Sequence, residues 1–287
     1  MTPRDQAEGL RKLFNDRLPL LLNVASGRAG TGRTSFVVNL ATELARHGRE
    51  VIVVDENSGM GNVGDALGLR PRLELSHALH RDRALREVLV PVCEGLRLLP
   101  AARGLRMLQQ RPEKISRQAR EDVSRALGCA DFVLVDTAEG GVGGLALPLE
   151  ARREIVITTS VGLEAVTQTY AWIKGLPRKY RELGARLAVC KARREDEAKL
   201  VYTNLAGVAE RHLGMRLTLL GVVGHDAGTA RTARSGRSLP EARPDPAVSM
   251  QYRSIAARLE SAAPARTIAA RPRPPLASVR EGARAAA

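Results

Sequence analysis

Apolar residues in this chain fall into two rhythms that alternate along its length. One is a short unbroken run, seen at Leu20–Ala25, Val51–Val54, Leu96–Leu99, Phe132–Val135, Ile155–Thr159, Leu187–Cys190 and Leu219–Val223. Runs this short, rich in β-branched and aliphatic residues, fit strands covered on both faces, as in a parallel sheet. The other rhythm is helical. Ser35–His47 repeats Phe36, Val37, Leu40 and Leu44 at helix spacing, and Gly48 follows where a C-terminal cap is expected. Glu113–Leu127, Leu163–Tyr180, Glu195–Leu213 and Met250–Glu260 read as further helices. Strands separated by helices of this length pair in parallel. The pattern predicts an α/β fold with a single doubly wound, mostly parallel sheet and helices on both faces.

Two segments stand outside that alternation. Residues 1–18 carry one short amphipathic pattern from Ala7, Leu10, Leu13 and Phe14. Residues 261–287 combine Pro264, Pro272, Pro274 and Pro275 with Ala and Arg, and hold too few large apolar groups to offset ordering entropy. The expected organisation is therefore a segment at 1–18, a nucleotide-binding α/β domain at 19–260 and a disordered basic tail at 261–287.

Composition narrows the function classes. Aromatics make up only 3% of the 287 residues, which argues against an all-β sandwich and against a single-strand reader built on stacking. No apolar run approaches the ~20 residues that span a bilayer, and residues 1–14 lack the apolar stretch of a secretory signal. Three scattered cysteines, Cys93, Cys129 and Cys190, form neither a disulfide framework nor a metal knuckle, so a cytoplasmic location is expected. The five histidines show no ligand spacing. Net charge is +14, and of the 45 basic residues 39 are Arg. An Arg excess of that size follows genome composition, so a single Lys-to-Arg difference says little about function. Half of the net charge lies in residues 228–287. A basic end of this kind suits anionic lipid, nucleic acid or an acidic partner without choosing among them.

The chemistry concentrates after the first strand. Gly27-Arg28-Ala29-Gly30-Thr31-Gly32-Arg33-Thr34, followed by Ser35, has the spacing of a phosphate-binding loop between a strand and a helix. In such a loop glycines let successive amides turn towards phosphate oxygens, and the helix N-terminus adds its positive pole. Thr34 would offer a hydroxyl to Mg²⁺, and Arg33 stands where the usual lysine would be.

The residues around the loop make the match specific. Val24–Thr34, Asn39-Leu-Ala41, Val54–Val63, Leu99-Pro-Ala101, Asp131–Thr137, Thr158-Thr159 and Leu219–Asp226 together resemble the MinD/ParA family of P-loop ATPases. Within it the chain is most similar to the flagellar-number regulators of the FlhG/FleN type, whose N-terminal signature stands here as Asp5-Gln6-Ala7-Glu8-Gly9-Leu10-Arg11.

That resemblance implies ATP and Mg²⁺ as cofactors. Arg28 would take the place of a lysine that reaches the partner subunit's phosphates in a homodimer, and Arg33 that of the lysine on the β- and γ-phosphates. Asp55 and Asp136 would stand near Mg²⁺ with Thr34. Asn57 occupies the position of the acid that orients the attacking water, and cannot accept its proton; Glu56 and Glu139 are the neighbouring acids open to that role. Cys190 stands where the family reads adenine with Asn. Slow or absent hydrolysis is expected. Asp5, Gln6, Ala7, Leu10 and Arg11 would engage a signal-recognition-type flagellar GTPase (FlhF). Flagellar switch components or a transcription regulator are the further partners implied. Membrane association is expected to be weak or absent, since Ile255 and Leu259 suit a core helix, although the basic tail suits peripheral contact with the inner face of the plasma membrane. The alternatives are an active ParA-type ATPase that positions DNA and a septum-site regulator of division. Sequence-specific nucleic-acid binding is not expected, since 18 residues cannot hold a helix-turn-helix ahead of the core.

Overall fold

The computed structural model describes residues 18–226, 228, 232, 238–242 and 247–262. The N-terminal signature Asp5–Arg11 and residues 263–287 lie outside them. Eight strands form one sheet in the order β3-β4-β2-β5-β1-β6-β7-β8. They are β1 (Leu20–Ser26), β2 (Val51–Asp55), β3 (Val90–Cys93), β4 (Leu96–Pro100), β5 (Phe132–Asp136), β6 (Arg152–Ser160), β7 (Ala185–Ala192) and β8 (Leu217–Gly224). Every neighbouring pair is parallel except β3–β4.

The seven predicted strands are all present. β3 adds an antiparallel edge that the apolar pattern does not announce, because Val90-Pro-Val-Cys93 is short, interrupted by proline and alternately exposed.

The helices are α1 (Arg33–Arg46), α2 (Val63–Ala66), α3 (Leu75–Leu79), α4 (Leu85–Val88), α5 (Ala102–Gln110), α6 (Arg117–Leu127), α7 (Leu163–Gly175), α8 (Arg178–Arg181), α9 (Glu195–Leu213), α10 (Leu239–Ala242) and α11 (Ala247–Ala262). Two expected boundaries shift. The helix predicted from Glu113 starts at Arg117, where the Ser116 hydroxyl caps Ala119 N at 3.2 Å; a 3₁₀ turn, Pro112–Lys114, precedes it. The helix predicted to run to Tyr180 stops at Gly175, since Pro177 cannot continue it.

Strand alternation assigns the two faces. Leu20, Leu22, Val24, Val51, Val53, Phe132 and Leu134 pack with α1 and α11, including Phe36, Tyr252, Ile255 and Leu259. Ile255 and Leu259 are thus core residues, as expected. The opposite face buries Leu21, Ile52, Val54, Val133 and Val135 under α3 to α6, and continues as Ile155, Ile157, Leu187 and Val189 under α7 and α9. Trp172 and Tyr170 pack partly buried against this second layer. Each fully buried Leu, Val or Phe contributes about 1.5–3 kcal/mol relative to exposure, so this two-sided burial holds the sheet ends fixed beneath the loops.

The chain leaves β1 towards β2 on one side, and leaves β6 towards β7 and β8 on the other. Their C-terminal ends form the switch point at which open α/β sheets bind ligands. The β1–α1 loop lies there.

Candidate functional site

Residues 27–32 connect β1 to α1 in a tight turn. Gly30 and Gly32 have φ of +77° and +99°, a left-handed backbone that glycine adopts without strain. A Cβ on Gly30 would meet nothing within 4 Å, and one on Gly32 would meet Cys190 Cβ at 3.5 Å, ordinary contact. Among the described residues, Lys191 reaches over the loop, with its Cε 3.7 Å from a Cβ placed on Gly32. Phe36 N is the first α1 amide with a backbone acceptor, Gly32 O at 2.8 Å. Among the described residues, the amides from Gly30 to Ser35 have none, the condition for binding an anion at a helix start.

A cavity of about 390 Å³ opens over these amides. It brings together the predicted residues Arg28, Ala29, Gly30, Thr31, Gly32, Arg33, Thr34, Ser35 and Asn57. Two residues predicted to contact nucleotide, Gly27 and Cys190, are not in its lining. Gly27 serves helix packing: a Cβ there would lie 2.4 Å from Gln168 O on α7. Cys190 is buried in the α1–α11 core, where loss of solvation pushes its thiol up to about 12. It stands behind Gly32 as a packing group.

Sequence reasoning missed Lys191. It adopts φ +59°, uncommon for a non-glycine, and its ammonium donates to Gly30 O at 2.6 Å. A backbone conformation of that kind leaves no mark in the composition around it. Glu139, from the loop after β5, also lines the cavity and accepts Ala29 N at 3.2 Å. Arg28 pairs with Glu164 at the start of α7.

Beneath the cavity two of the predicted acids converge. Asp55 and Asp136 are register partners on β2 and β5. Burial pushes the Asp55 carboxyl up to about 6, with the Asp136 charge adding to the effect against amide donors that lower it. Asp136 is also raised by burial, opposed by Arg33 and Thr34. Their oxygens are engaged by the protein itself. Arg33 Nε donates to Asp136 Oδ1 at 2.7 Å and Thr34 Oγ1 to Asp136 Oδ2 at 2.7 Å. Asn57 N donates to Asp55 Oδ1 at 2.9 Å and Val63 N to Asp55 Oδ2 at 2.9 Å.

Asn57 ties the pair together. Its Nδ2 reaches Asp55 Oδ1, Asp136 Oδ2, Asp136 O and Thr137 O at 3.1–3.3 Å, and its Oδ1 accepts Arg33 Nη2 at 3.3 Å. Arg33 Nη1 adds a bond to Ser26 Oγ at 3.2 Å. Glu56 turns away from the cavity, accepting Ala138 N at 2.9 Å and Gln109 Nε2 at 3.3 Å.

The unpaired loop amides and the open space fit the phosphates of a nucleotide. The metal set is different: Thr34, Asp55 and Asp136 are all present, yet every carboxylate oxygen among them already accepts a protein donor. As arranged, the set offers a divalent cation no carboxylate oxygen that is free of a protein donor.

No family model matches the chain. Among curated proteins it is 30% identical over 244 residues to the antiactivator FleN of Pseudomonas aeruginosa, covering 84% of this chain and 86% of that one. It is 27% identical to the flagellum site-determining protein YlxH of Helicobacter pylori, over 90% of both. Its fold superposes on the septum site-determining protein MinD of Pyrococcus horikoshii, solved with Mg-ADP, with a TM-score of 0.64 and 20% identity over 86% of this chain and 97% of that one. A ParA family ATPase from Chlorobium tepidum gives 0.62 at 18% identity, over 83% and 98%. Sequence relatives, shared fold and the cradle at the β1–α1 turn agree: the chain belongs to the MinD/ParA family of P-loop ATPases, in its branch of FleN/FlhG-type flagellar-number regulators.

Proposed function

We propose that this protein regulates flagellar number or placement as a nucleotide-biased protein-interaction switch. The observation that carries the reading is its 30% identity to FleN over 84% of the chain, together with a phosphate cradle left open. The chain's own residues divide the work. Amides from Gly30 to Ser35 hold phosphate oxygens, Arg33 supplies a fixed charge at the cavity floor, and Arg28 with Lys191 adds charge at its rim. A bound triphosphate contributes negative charge and a scissile anhydride; the protein's part is to sense its presence.

Hydrolysis is slow or absent in this reading. Asn57 has no basic atom, and its amide group is spent on Asp55, Asp136, Thr137 and Arg33. Glu56 is bound to Ala138 and Gln109. Glu139 is the acid in the cavity lining, but it holds Ala29 N. Nucleotide-dependent change is therefore read out by surfaces: a homodimer face beside the loop, and the 1–18 segment offered to a signal-recognition-type GTPase, with flagellar switch components or a transcription regulator as further partners. The protein acts in the cytoplasm or at the inner face of the plasma membrane; among the described residues no helix is long and apolar enough to cross a membrane.

The test is genetic. Deleting the gene in its host should change the number or position of flagella per cell. The full chain should restore it, and a chain lacking residues 1–18 should not. Unchanged flagellation in the deletion strain would overturn the proposal.

A further inference from the structure

Arg33 is the residue whose surroundings depart furthest from a metal-assisted phosphate site. Its side chain is 12% exposed and that of Asp136 is 0%, so their ion pair lies inside the protein. Opening such a pair leaves an uncompensated buried charge, a large cost. The guanidinium is held in three directions at once, on Asp136, Ser26 and Asn57. The planar fork meets the three from three separate nitrogens, whereas a lysine would have to meet all of them from one. Arg33 is therefore fixed in the cavity floor, a positive charge in place before any ligand arrives.

The acids complete the case. Asn57 brings no carboxylate of its own, so the acids beneath the cavity are Asp55 and Asp136. Asp136 is matched by Arg33 and by the Thr34 hydroxyl. Both oxygens of Asp55 are capped by amides. The protein thus offers a divalent cation no unmatched carboxylate oxygen beneath the cavity. In the lining itself Arg28, Arg33 and Lys191 outnumber Glu139. Positive charge that a metal ion would bring is already built in.

We infer that Arg33 substitutes for the divalent cation, so that this site takes a nucleoside triphosphate or inorganic polyphosphate without a metal. The inference rests on the nucleotide-binding reading above and deepens it. Arg33 acts here as a specificity-determining residue: it decides which form of the ligand, metal-free or metal-chelated, the cavity accepts.

The experiment measures the affinity of the full-length protein for a fluorescent ATP analogue by anisotropy, once with excess Mg²⁺ and once with EDTA. The two dissociation constants are expected to agree within about fivefold; a larger loss in EDTA overturns the inference while leaving nucleotide binding intact. Absence of binding in both buffers overturns the nucleotide reading as well, and so separates the two failures. In EDTA, inorganic tripolyphosphate should also displace the analogue and raise Tm, and no effect of either kind would count against a metal-free phosphate site. Arg33→Lys should then weaken binding in EDTA at least tenfold more than in Mg²⁺. If a folded Arg33→Lys protein stays as indifferent to Mg²⁺ as the native chain, Arg33 is not the substitute. The wild-type comparison stands on its own if that variant does not fold.

Discussion

Asp55 and Asp136 lie side by side at the C-terminal ends of β2 and β5, two buried carboxylates in register on neighbouring parallel strands. The sheet forces them together, and the loops around them supply the donors that make the arrangement tolerable. Burial raises both carboxyls, and that of Asp55 is pushed up to about 6. Because its folded pKa lies above the unfolded value of 3.8, the folded state binds this proton more tightly. The group's stabilising contribution is present at low pH and is lost as pH rises through about 6. Replacing it by Asp55→Asn removes that dependence. Urea unfolding should show the stability of the variant relative to the native chain rising by about 2 kcal/mol between about pH 4 and about pH 7.5, whatever constant offset the lost amide acceptor adds.

Gly27 sets how closely α7 approaches the phosphate loop. Since a Cβ there would lie 2.4 Å from Gln168 O and 2.7 Å from Thr169 Cα, α7 has to move if one is added. Gly27→Ala is expected to destabilise the chain by about 1–3 kcal/mol, the usual cost of overpacking, measured by denaturant midpoint. It should also disturb the Thr169–Thr159 hydroxyl bond of 2.9 Å that fixes α7 to the end of β6.

Glu56 fastens the glycine-rich loop after β5. Its carboxylate takes Ala138 N, and it fits because residue 143 is glycine: a Cβ there would come within 2.1 Å of Glu56 Oε1. Glu56→Ala should free the loop, with hydrogen exchange at Ala138 N accelerated about tenfold or more, in line with loss of a bond to a charged acceptor. Exchange in the strand interior of β2 should not change.

The three cysteines differ in reactivity for physical reasons. Cys129 is exposed; Cys93 is exposed as a residue, but desolvation of its sulfur and the charges of Glu241 and Glu94 push its thiol up to about 11. Cys190 is buried with its thiol near 12. Since the thiolate is the nucleophile, thiol titration of the native protein should modify Cys129 first and Cys93 more slowly. Cys190 should react only on unfolding.

Much of the fold was legible because each central strand is buried on both faces and so reads as a continuous apolar run. Gly48 marked the end of α1 by being glycine, and the structure gives it a left-handed φ of +80°. The β1–α1 turn was legible from its glycine spacing and its place between a strand and a helix. What escaped lies where long-range packing outweighs local pattern. The short helices α2, α3 and α4 between Val63 and Val88 have four or five residues each, too few for a period to show. The inward turn of Arg33 could not be read either. Sequence places it on phosphates in the manner of a lysine, but Asp136, Ser26 and Asn57 meet it only once β1, β2 and β5 are assembled. For the same reason Asn57, read as a weakened water-orienting group, proves to be the knot between two acids. The roles of Cys190 and Gly27 changed likewise, from ligand contact to packing.

The central claim is that the β1–α1 turn still binds a triphosphate. Isothermal titration calorimetry of ATP onto the full-length protein tests it most directly. The expected result is a saturable heat with one ATP per chain, suppressed when the protein is first saturated with inorganic tripolyphosphate. A titration with no saturable heat at millimolar ATP would contradict it.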